Sequence, residues 1–343
     1  MVTVIIPTCN RPHFLREALE SVRQQTALDR IGEVIVSENG GCHESKAVCE
    51  QFPDLPICYL FQEPPVPGLM HLKAIWPTVK APFVAFLHDD DWWAPEHLER
   101  ALQVLDADPQ CAAVFSNHYV TEGPEHPAQV AYRWARQVWI ASGCDFSRPV
   151  LKLEDESVVL AGLWGAAFHY STVVARTKAV WASYCQLADA GNEYDNDRTF
   201  PIFLAAHGTI AYLTHPDVFV RLHLGQYNKR FCESYEMRFI QTTRWMLKRW
   251  PDKVAAAAKR FNTLASSLDR VHLDSLTRLV AEARKNLLVA ECGLRIPISS
   301  EQAEPSPRDL RWFLRLICPP AVFALRRRLR GRFSAGKGQG AQS

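Results

Sequence analysis

Apolar and polar positions alternate with two different periods along the first part of the chain. Val2, Val4, Ile5 and Ile6 form a β-branched run, which predicts a buried parallel strand. Phe14, Leu15, Ala18, Leu19 and Val22 then recur at helical spacing, with Asn10 placed to cap the helix and Pro12 in its first turn. Residues 33–36 predict a second strand, ending in the turn cluster Ser37-Glu38-Asn39-Gly40-Gly41. A short helix near 45–52, a strand over 57–61, a rigid proline-rich loop over 62–68 and a helix over 69–79 follow. Residues 83–87 predict a fourth strand, Pro95 opens a helix that runs to 107, and 112–116 predict a fifth strand.

This alternation predicts an open, Rossmann-like α/β sheet with helices on both faces. Ligands of such sheets gather at the carboxyl ends of the strands. The two polar clusters, 37–41 and 88–91, both fall at predicted strand ends. Beyond them the pattern is less regular. Residues 122–150 read as a loop-rich insertion, and 166–174 as a return to the sheet. A helix is expected over 199–207 and a strand over 210–213. A helical extension covers 229–307, regular over 236–294 and ending in a polar linker over 296–307. The final segment, 308–343, is basic, and its last ten residues have a disordered composition.

Composition narrows the class. The chain has 343 residues with 48% apolar and 22% charged positions, which is enough apolar content for a sizeable core. The net charge of +2 gives no argument for nucleic acid as a partner. Ten cysteines occur without a CxxC pair or zinc-ligand spacing, which predicts reduced core thiols. No signal peptide and no transmembrane helix are expected, so a cytoplasmic location follows. In the tail, arginines interleave with Trp312, Phe313, Leu314 and Leu316. Over 308–333 this suits an amphipathic segment in peripheral contact with an anionic membrane face.

Candidate chemistry starts at His88-Asp89-Asp90-Asp91. Adjacent carboxylates repel and raise one another's pKa, and a divalent cation relieves that repulsion. Mg²⁺ or Mn²⁺ takes one or two carboxylates and fills its shell with phosphate oxygens and water. A nucleoside diphosphate supplies such oxygens. A further acidic cluster, Glu193-Tyr194-Asp195-Asn196-Asp197, precedes a predicted helix, and Asp197 lies next to the helix start, where the dipole favours a carboxylate.

Several ordered motifs resemble family-2 glycosyltransferases. Val4-Ile5-Ile6-Pro7-Thr8-Cys9-Asn10-Arg11 looks like the family's opening strand and turn, and residues 19–26 like its first helix. Val36-Ser37-Glu38-Asn39-Gly40 resembles its nucleoside-binding turn, and Leu87-His88-Asp89-Asp90-Asp91-Trp92 its DXD-type motif. The resemblance covers residues 2–228. It implies a GT-A fold with a nucleotide half (1–118) and an acceptor half (119–228), and inverting transfer of a sugar from a nucleotide-sugar donor. His88 stands where the motif usually starts with Asp, so Asp90 becomes the expected metal ligand with Asp89 in support. Asp91 is expected beside the metal shell or as a helix cap.

The same resemblance implies that Glu38 reads the base. A carboxylate accepts the imide N–H of uracil or thymine, which favours a UDP- or dTDP-sugar. Pro7, Thr8, Asn10, Arg11, Lys73 and Asp89 are implied around the nucleotide. His223, in Arg221-Leu222-His223, is implied at the metal or diphosphate. His169 and Trp93 are expected to contact the acceptor, a saccharide or a lipid-linked glycan precursor. Counting back from Gly208 places Asp197 at the family's base, with Asp195 and then Glu193 as alternatives. Two other readings compete. A sugar-phosphate nucleotidyltransferase calls for a Gly-rich basic loop after the first strand, and Pro7-Thr8-Cys9-Asn10-Arg11 contains no glycine. A non-catalytic nucleotide-sugar-binding protein has no need of Asp89, Asp90 and Asp197 together.

Overall fold

The computed structural model describes residues 1–41, 43–124, 136, 138–140, 142–164, 167–189, 196–223 and 235–265. Chain order is β1 (Val2–Thr8), α1 (Pro12–Arg23), β2 (Ile31–Asn39), α2 (Glu44–Cys49), β3 (Ile57–Gln62), α3 (Gly68–Ile75), β4 (Phe83–Phe86), β5 (Trp92–Trp93), α4 (His97–Ala107) and β6 (Cys111–Thr121). Then come β7 (Val150–Leu153), α5 (Asp155–Trp164), β8 (Val174–Arg176), α6 (Thr177–Asp189), α7 (Asn196–Ala205), β9 (Thr209–Arg221), α8 (Tyr235–Arg249) and α9 (Pro251–Ala265).

One nine-stranded mixed sheet runs β3-β2-β1-β4-β8-β6-β9-β5, with β7 against β9. β3, β2, β1 and β4 are parallel; β8 is antiparallel to both neighbours. Chain order reverses on either side of β1, which pairs with β2 on one side and β4 on the other. A crevice opens outside the carboxyl ends at such a point. Alternate β1 side chains enter different cores. Val2, Val4 and Ile6 pack with Leu15, Ala18, Leu19 and Val22 of α1. Ile5 joins Phe86, Tyr184, Phe200 and Tyr212 on the other face. Truncating a fully buried side chain such as Leu19 to Ala costs roughly 2–5 kcal/mol.

Several elements differ from the sequence expectation for identifiable reasons. β2 continues through Asn39 because Ser37 and Glu38 pair with Pro7 and Thr8 on one side and Leu60 and Phe61 on the other. Glu38 therefore sits on a strand end rather than in the turn. The helix expected over 69–79 ends at Ile75 and continues as a 3₁₀ turn, Trp76–Thr78, around Pro77. β6 and β9 are far longer than their apolar runs. The polar stretch Thr214-His215-Pro216-Asp217 hides the continuity of β9, and register shifts near Asn117 accommodate it. α5 shows no amphipathic period because Val158, Val159, Leu160, Ala161 and Leu163 are all buried.

The helical extension shares a core with the sheet's helices. Met246 of α8 and Val254, Ala257 and Ala258 of α9 pack in one cluster with Leu160 and Phe203. Arg198 of α7 is buried and donates from Nε to the Gly162 carbonyl (2.6 Å) and from Nη2 to Thr243 Oγ1 (2.8 Å), tying α5, α7 and α8 together. The linker and the basic tail over 308–343 lie outside the described residues. Among the described residues, no helix is long and apolar enough to cross a membrane.

Candidate active site

Three strand ends converge at the crevice. β1 delivers Thr8, β2 delivers Glu38, and the chain leaving β4 delivers Asp89, Asp90 and Asp91, all five buried. After β1 the chain turns at Asn10 in the left-handed region (φ 53), which Asn tolerates better than most residues. Arg11, not Asn10, flanks the helix, and Pro12 begins it, so the expected Asn10 cap is corrected. The turn sends Arg11 across to the β4 loop.

Asp89 accepts from Thr8 Oγ1 (2.7 Å) and Arg11 Nε (3.0 Å), and also meets Arg11 Nη2. Asp90 Oδ2 accepts from Arg11 Nη1 (2.8 Å) and lies 2.9 Å from His223 Nε2. Asp91 does not cap α4, which starts only at His97. Its oxygens instead accept the Arg221 backbone N–H (2.9 Å) and the Ser171 hydroxyl (2.5 Å). Arg221 is anchored in turn. Its Nε donates to the Asp90 carbonyl (2.8 Å), its Nη2 meets Glu17, and its guanidinium lies over the rings of Phe14 (4.6 Å) and Trp92 (4.7 Å). The pairing of Trp92 with Phe219 brings the end of β9 beside the cluster.

These surroundings separate three neighbouring carboxyls. Burial pushes Asp89 up to about 7; Arg11 opposes this and the Asp90 charge adds to it. Burial and then the Asp90 charge push Asp91 up to about 7. At Asp90 burial is outweighed by the His223 hydrogen bond and Arg11, which hold it below the usual carboxylate range. Asp90 is thus the most acidic of the three.

On the opposite side of the loop, His88 and His169 approach Asp91. Their Nδ1 atoms lie 3.8 and 3.7 Å from Asp91 Oδ2, and their rings pack at 5.3 Å. The Tyr170 ring stacks on His88 at 6.1 Å and on Phe200 of α7 at 5.2 Å. Burial first, and then the charges of Tyr184 and Asp197, push the Tyr170 phenol well above its ordinary range. Asp197 lies in the first turn of α7, the helix that carries Phe200.

Further polar groups cluster beside β2. Glu38 is fully buried. Its Oε2 accepts from Tyr59 Oη (2.6 Å), while its Oε1 meets no hydrogen-bond partner among the described residues. A Cβ built at Gly41 would lie 2.5 Å from Asn10 Oδ1 and 2.7 Å from Glu38 Oε1. Those two oxygens border a space that only a glycine leaves open, and Gly41 also holds φ 126.

The structure thus gathers Thr8, Arg11, Asp89, Asp90 and His223 at one point, with Pro7, Asn10 and Glu38 around it. Lys73 is half-buried on α3, and no hydrogen bond or ion pair joins it to the cluster among the described residues. Trp93, expected near the acceptor, is buried, and its indole N–H is donated to the Ser171 carbonyl (2.7 Å). Asp195 and Glu193 lie outside the described residues. Glu17 is not expected at the site, because a helical glutamate carries no pattern, whereas Ser171 falls in the segment 169–171 expected near the acceptor.

The chain matches Glycosyl transferase family 2 over residues 3–162. That match spans just under half of the chain. A Haemophilus influenzae protein named an uncharacterized glycosyltransferase is 30% identical over 115 residues, 34% of this chain and 38% of the relative. Glycosyltransferase GlyA of Streptococcus pneumoniae is 27% identical over 99 residues, 29% of this chain and 14% of the relative. The chain thus spans well under half the length of these relatives.

Among solved structures, S. aureus TarS in complex with UDP-GlcNAc aligns with a TM-score of 0.55 at 16% identity, covering 84% of this chain and 79% of that one. The Pyrobaculum calidifontis mannosyltransferase in complex with GDP-Man and Mn²⁺ aligns with a TM-score of 0.50 at 17% identity, covering 85% and 79%. The chain therefore has the GT-A fold, as the sequence motifs implied.

Proposed function

We propose that this chain is an inverting, metal-dependent glycosyltransferase that moves a sugar from a nucleoside-diphosphate donor to an acceptor hydroxyl. The observation that carries the reading is the convergence of Glu38 and Asp90 on either side of β1, at the carboxyl ends of β2 and β4. One end of the crevice offers a buried carboxylate oxygen to a base, and the other an ionised carboxylate to a cation. The family-2 domain and the GT-A fold support it.

Glu38 Oε1 accepts the imide N–H of a pyrimidine, over the space that Gly41 leaves open. Asp90 and His223 fit a divalent ion: an ionised oxygen and an imidazole nitrogen stand 2.9 Å apart, a mixed set that suits Mn²⁺ better than Mg²⁺. When bound, such an ion neutralises charge on the leaving diphosphate. Arg11 supplies further positive charge at the same place and orients diphosphate oxygens. Asp197 takes the proton of the acceptor hydroxyl as that oxygen bonds to the anomeric carbon and the bond to the diphosphate oxygen breaks. The acceptor is a saccharide or lipid-linked glycan precursor, and the basic tail would hold the protein at an anionic membrane face.

The test is nucleotide release from a panel of UDP-, dTDP- and GDP-sugars with Mn²⁺ or chelator. Turnover with a pyrimidine donor that needs metal, and whose KM for the donor rises in Glu38→Gln, is expected. Absence of nucleotide release from every donor, or a Glu38→Gln variant with an unaltered donor KM, would overturn the reading.

A further inference from the structure

The second oxygen of Glu38 is already engaged. On the β2–β3 pair Val36 faces Tyr59 and Glu38 faces Phe61, so Tyr59 is the diagonal neighbour of Glu38 on one face of the sheet. Its ring reaches toward the strand end, and the phenol donates its hydrogen to Glu38 Oε2 (2.6 Å). With that hydrogen in use, Tyr59 Oη can meet His43 Nδ1, 3.5 Å away, only as an acceptor. The His43 ring lies in turn on Phe61, with centroids 3.6 Å apart.

Glu38 Oε1 is the other oxygen. It is buried beside Gly41, and no hydrogen bond reaches it among the described residues. A buried carboxyl oxygen without a donor is costly, so a donor from a ligand is favoured there. The frame around it is fixed. Asn39, next in β2, donates from Nδ2 to the Val66 carbonyl (2.8 Å) and accepts the Val66 N–H at Oδ1 (3.0 Å). A Cβ at Gly40 would lie 3.0 Å from Pro65 Cβ, so the proline-rich loop packs on the turn. Strand and loop together hold Gly40 and Gly41, and Oε1 is presented from a set direction.

We propose that Tyr59 is a specificity-determining residue: by holding Oε2 it leaves Glu38 one acceptor instead of two, which admits uracil or thymine and turns guanine away. This rests on the reading that Glu38 faces the base. The edge of uracil or thymine carries a single N–H between two carbonyl oxygens. The edge of guanine carries an N–H and an NH₂ side by side, and a carboxylate with both oxygens unengaged would accept them as a fork. Tyr59 breaks that fork. The single imide donor is fully met by Oε1, whereas the guanine amino group would be buried without its acceptor.

The experiment is calorimetric titration of the full chain, with Mn²⁺ present, by UDP and by GDP. Wild type should bind UDP more tightly. Tyr59→Phe keeps the ring and removes only the hydroxyl, and it should lower the ratio of GDP to UDP dissociation constants by at least about tenfold. Glu38→Gln should weaken UDP, because Tyr59 holds the amide oxygen and the NH₂ then faces the imide N–H. Circular-dichroism melts check that each variant is folded, and Tyr59→Leu decides should Tyr59→Phe unfold. An unchanged ratio in Tyr59→Phe, with UDP weakened in Glu38→Gln, overturns this proposal and leaves the base reading standing. A Glu38→Gln variant that binds both nucleotides as wild type does overturns the base reading and the proposal with it. A wild type that favours GDP also overturns the proposal.

Discussion

Arg11 Nη1 lies 2.8 Å from Asp90 Oδ2, the same oxygen that His223 Nε2 approaches. A guanidinium on β1's turn thus occupies the place where a divalent cation would neutralise charge. Removing it leaves Asp89 and Asp90 side by side in a buried site. Breaking such a pair costs roughly 3–5 kcal/mol. Arg11→Ala is expected to lose stability of that order in chelator and to regain part of it in millimolar Mn²⁺. An equal loss with and without Mn²⁺, followed by thermal melts, would show that cation and guanidinium do not act on the same charge.

The two raised carboxyls give a pH signature. Asp89 and Asp91 stand near 7 in the folded state, against about 3.9 when unfolded. The folded chain therefore binds more protons between these values. Their contribution to stability is full below about pH 4 and is lost as pH rises through 7. A cation entering the cluster displaces those protons, so Mn²⁺ affinity should climb between pH 6 and 8. Calorimetry in two buffers of different ionisation enthalpy counts the released protons. Binding heats independent of buffer would contradict this.

Asp197→Asn keeps the size of the side chain and removes its basicity. Transfer should fall by roughly 10²–10⁴-fold. Nucleotide affinity and melting temperature should stay near wild type, since Glu38 and Asp90 lie on other elements. A variant that turns over near the normal rate would move the role elsewhere.

His97 is fully buried against Trp93, ring centroids 4.8 Å apart, and neither ring nitrogen meets a partner among the described residues. Burial, then the nearby Arg100 charge, lowers it to about 3. The unfolded chain binds this proton near 6.5, so stability is lost as pH falls from there toward 3. His97→Leu removes both the unmet polar atoms and this pH term. It should stabilise by roughly 1–2 kcal/mol at pH 7, and by more at pH 5. Denaturant midpoints at the two pH values measure this, and a lower midpoint at both would refute it.

Residues 1–118 were legible in the sequence because their parallel strands read as apolar runs ending in polar clusters. The clusters that hold Glu38, Asp89 and Asp90 could be placed at strand ends from that pattern, while the choice of residues within them rested on the family resemblance. Residues 119–228 were not. α5 is apolar all round, and the polar interruption at Thr214–Asp217 concealed β9. Ser171, which orders Asp91, His88 and His169, and Arg198, which ties α7 to α5 and α8, act through contacts between residues dozens of positions apart. Such contacts leave no local period.

β9 contributes to both halves at once. Ile210 and Tyr212 enter one core, and Ala211, Leu213, Val218 and Val220 enter the other, before Arg221 presents its N–H to Asp91. A chimera that exchanges α5 to α7 for a relative's helices would therefore keep the 88–91 loop in place only if this strand stays with residues 1–121. The natural seam for grafting a new acceptor specificity runs on either side of β9, not at the point where sequence similarity to the family fades.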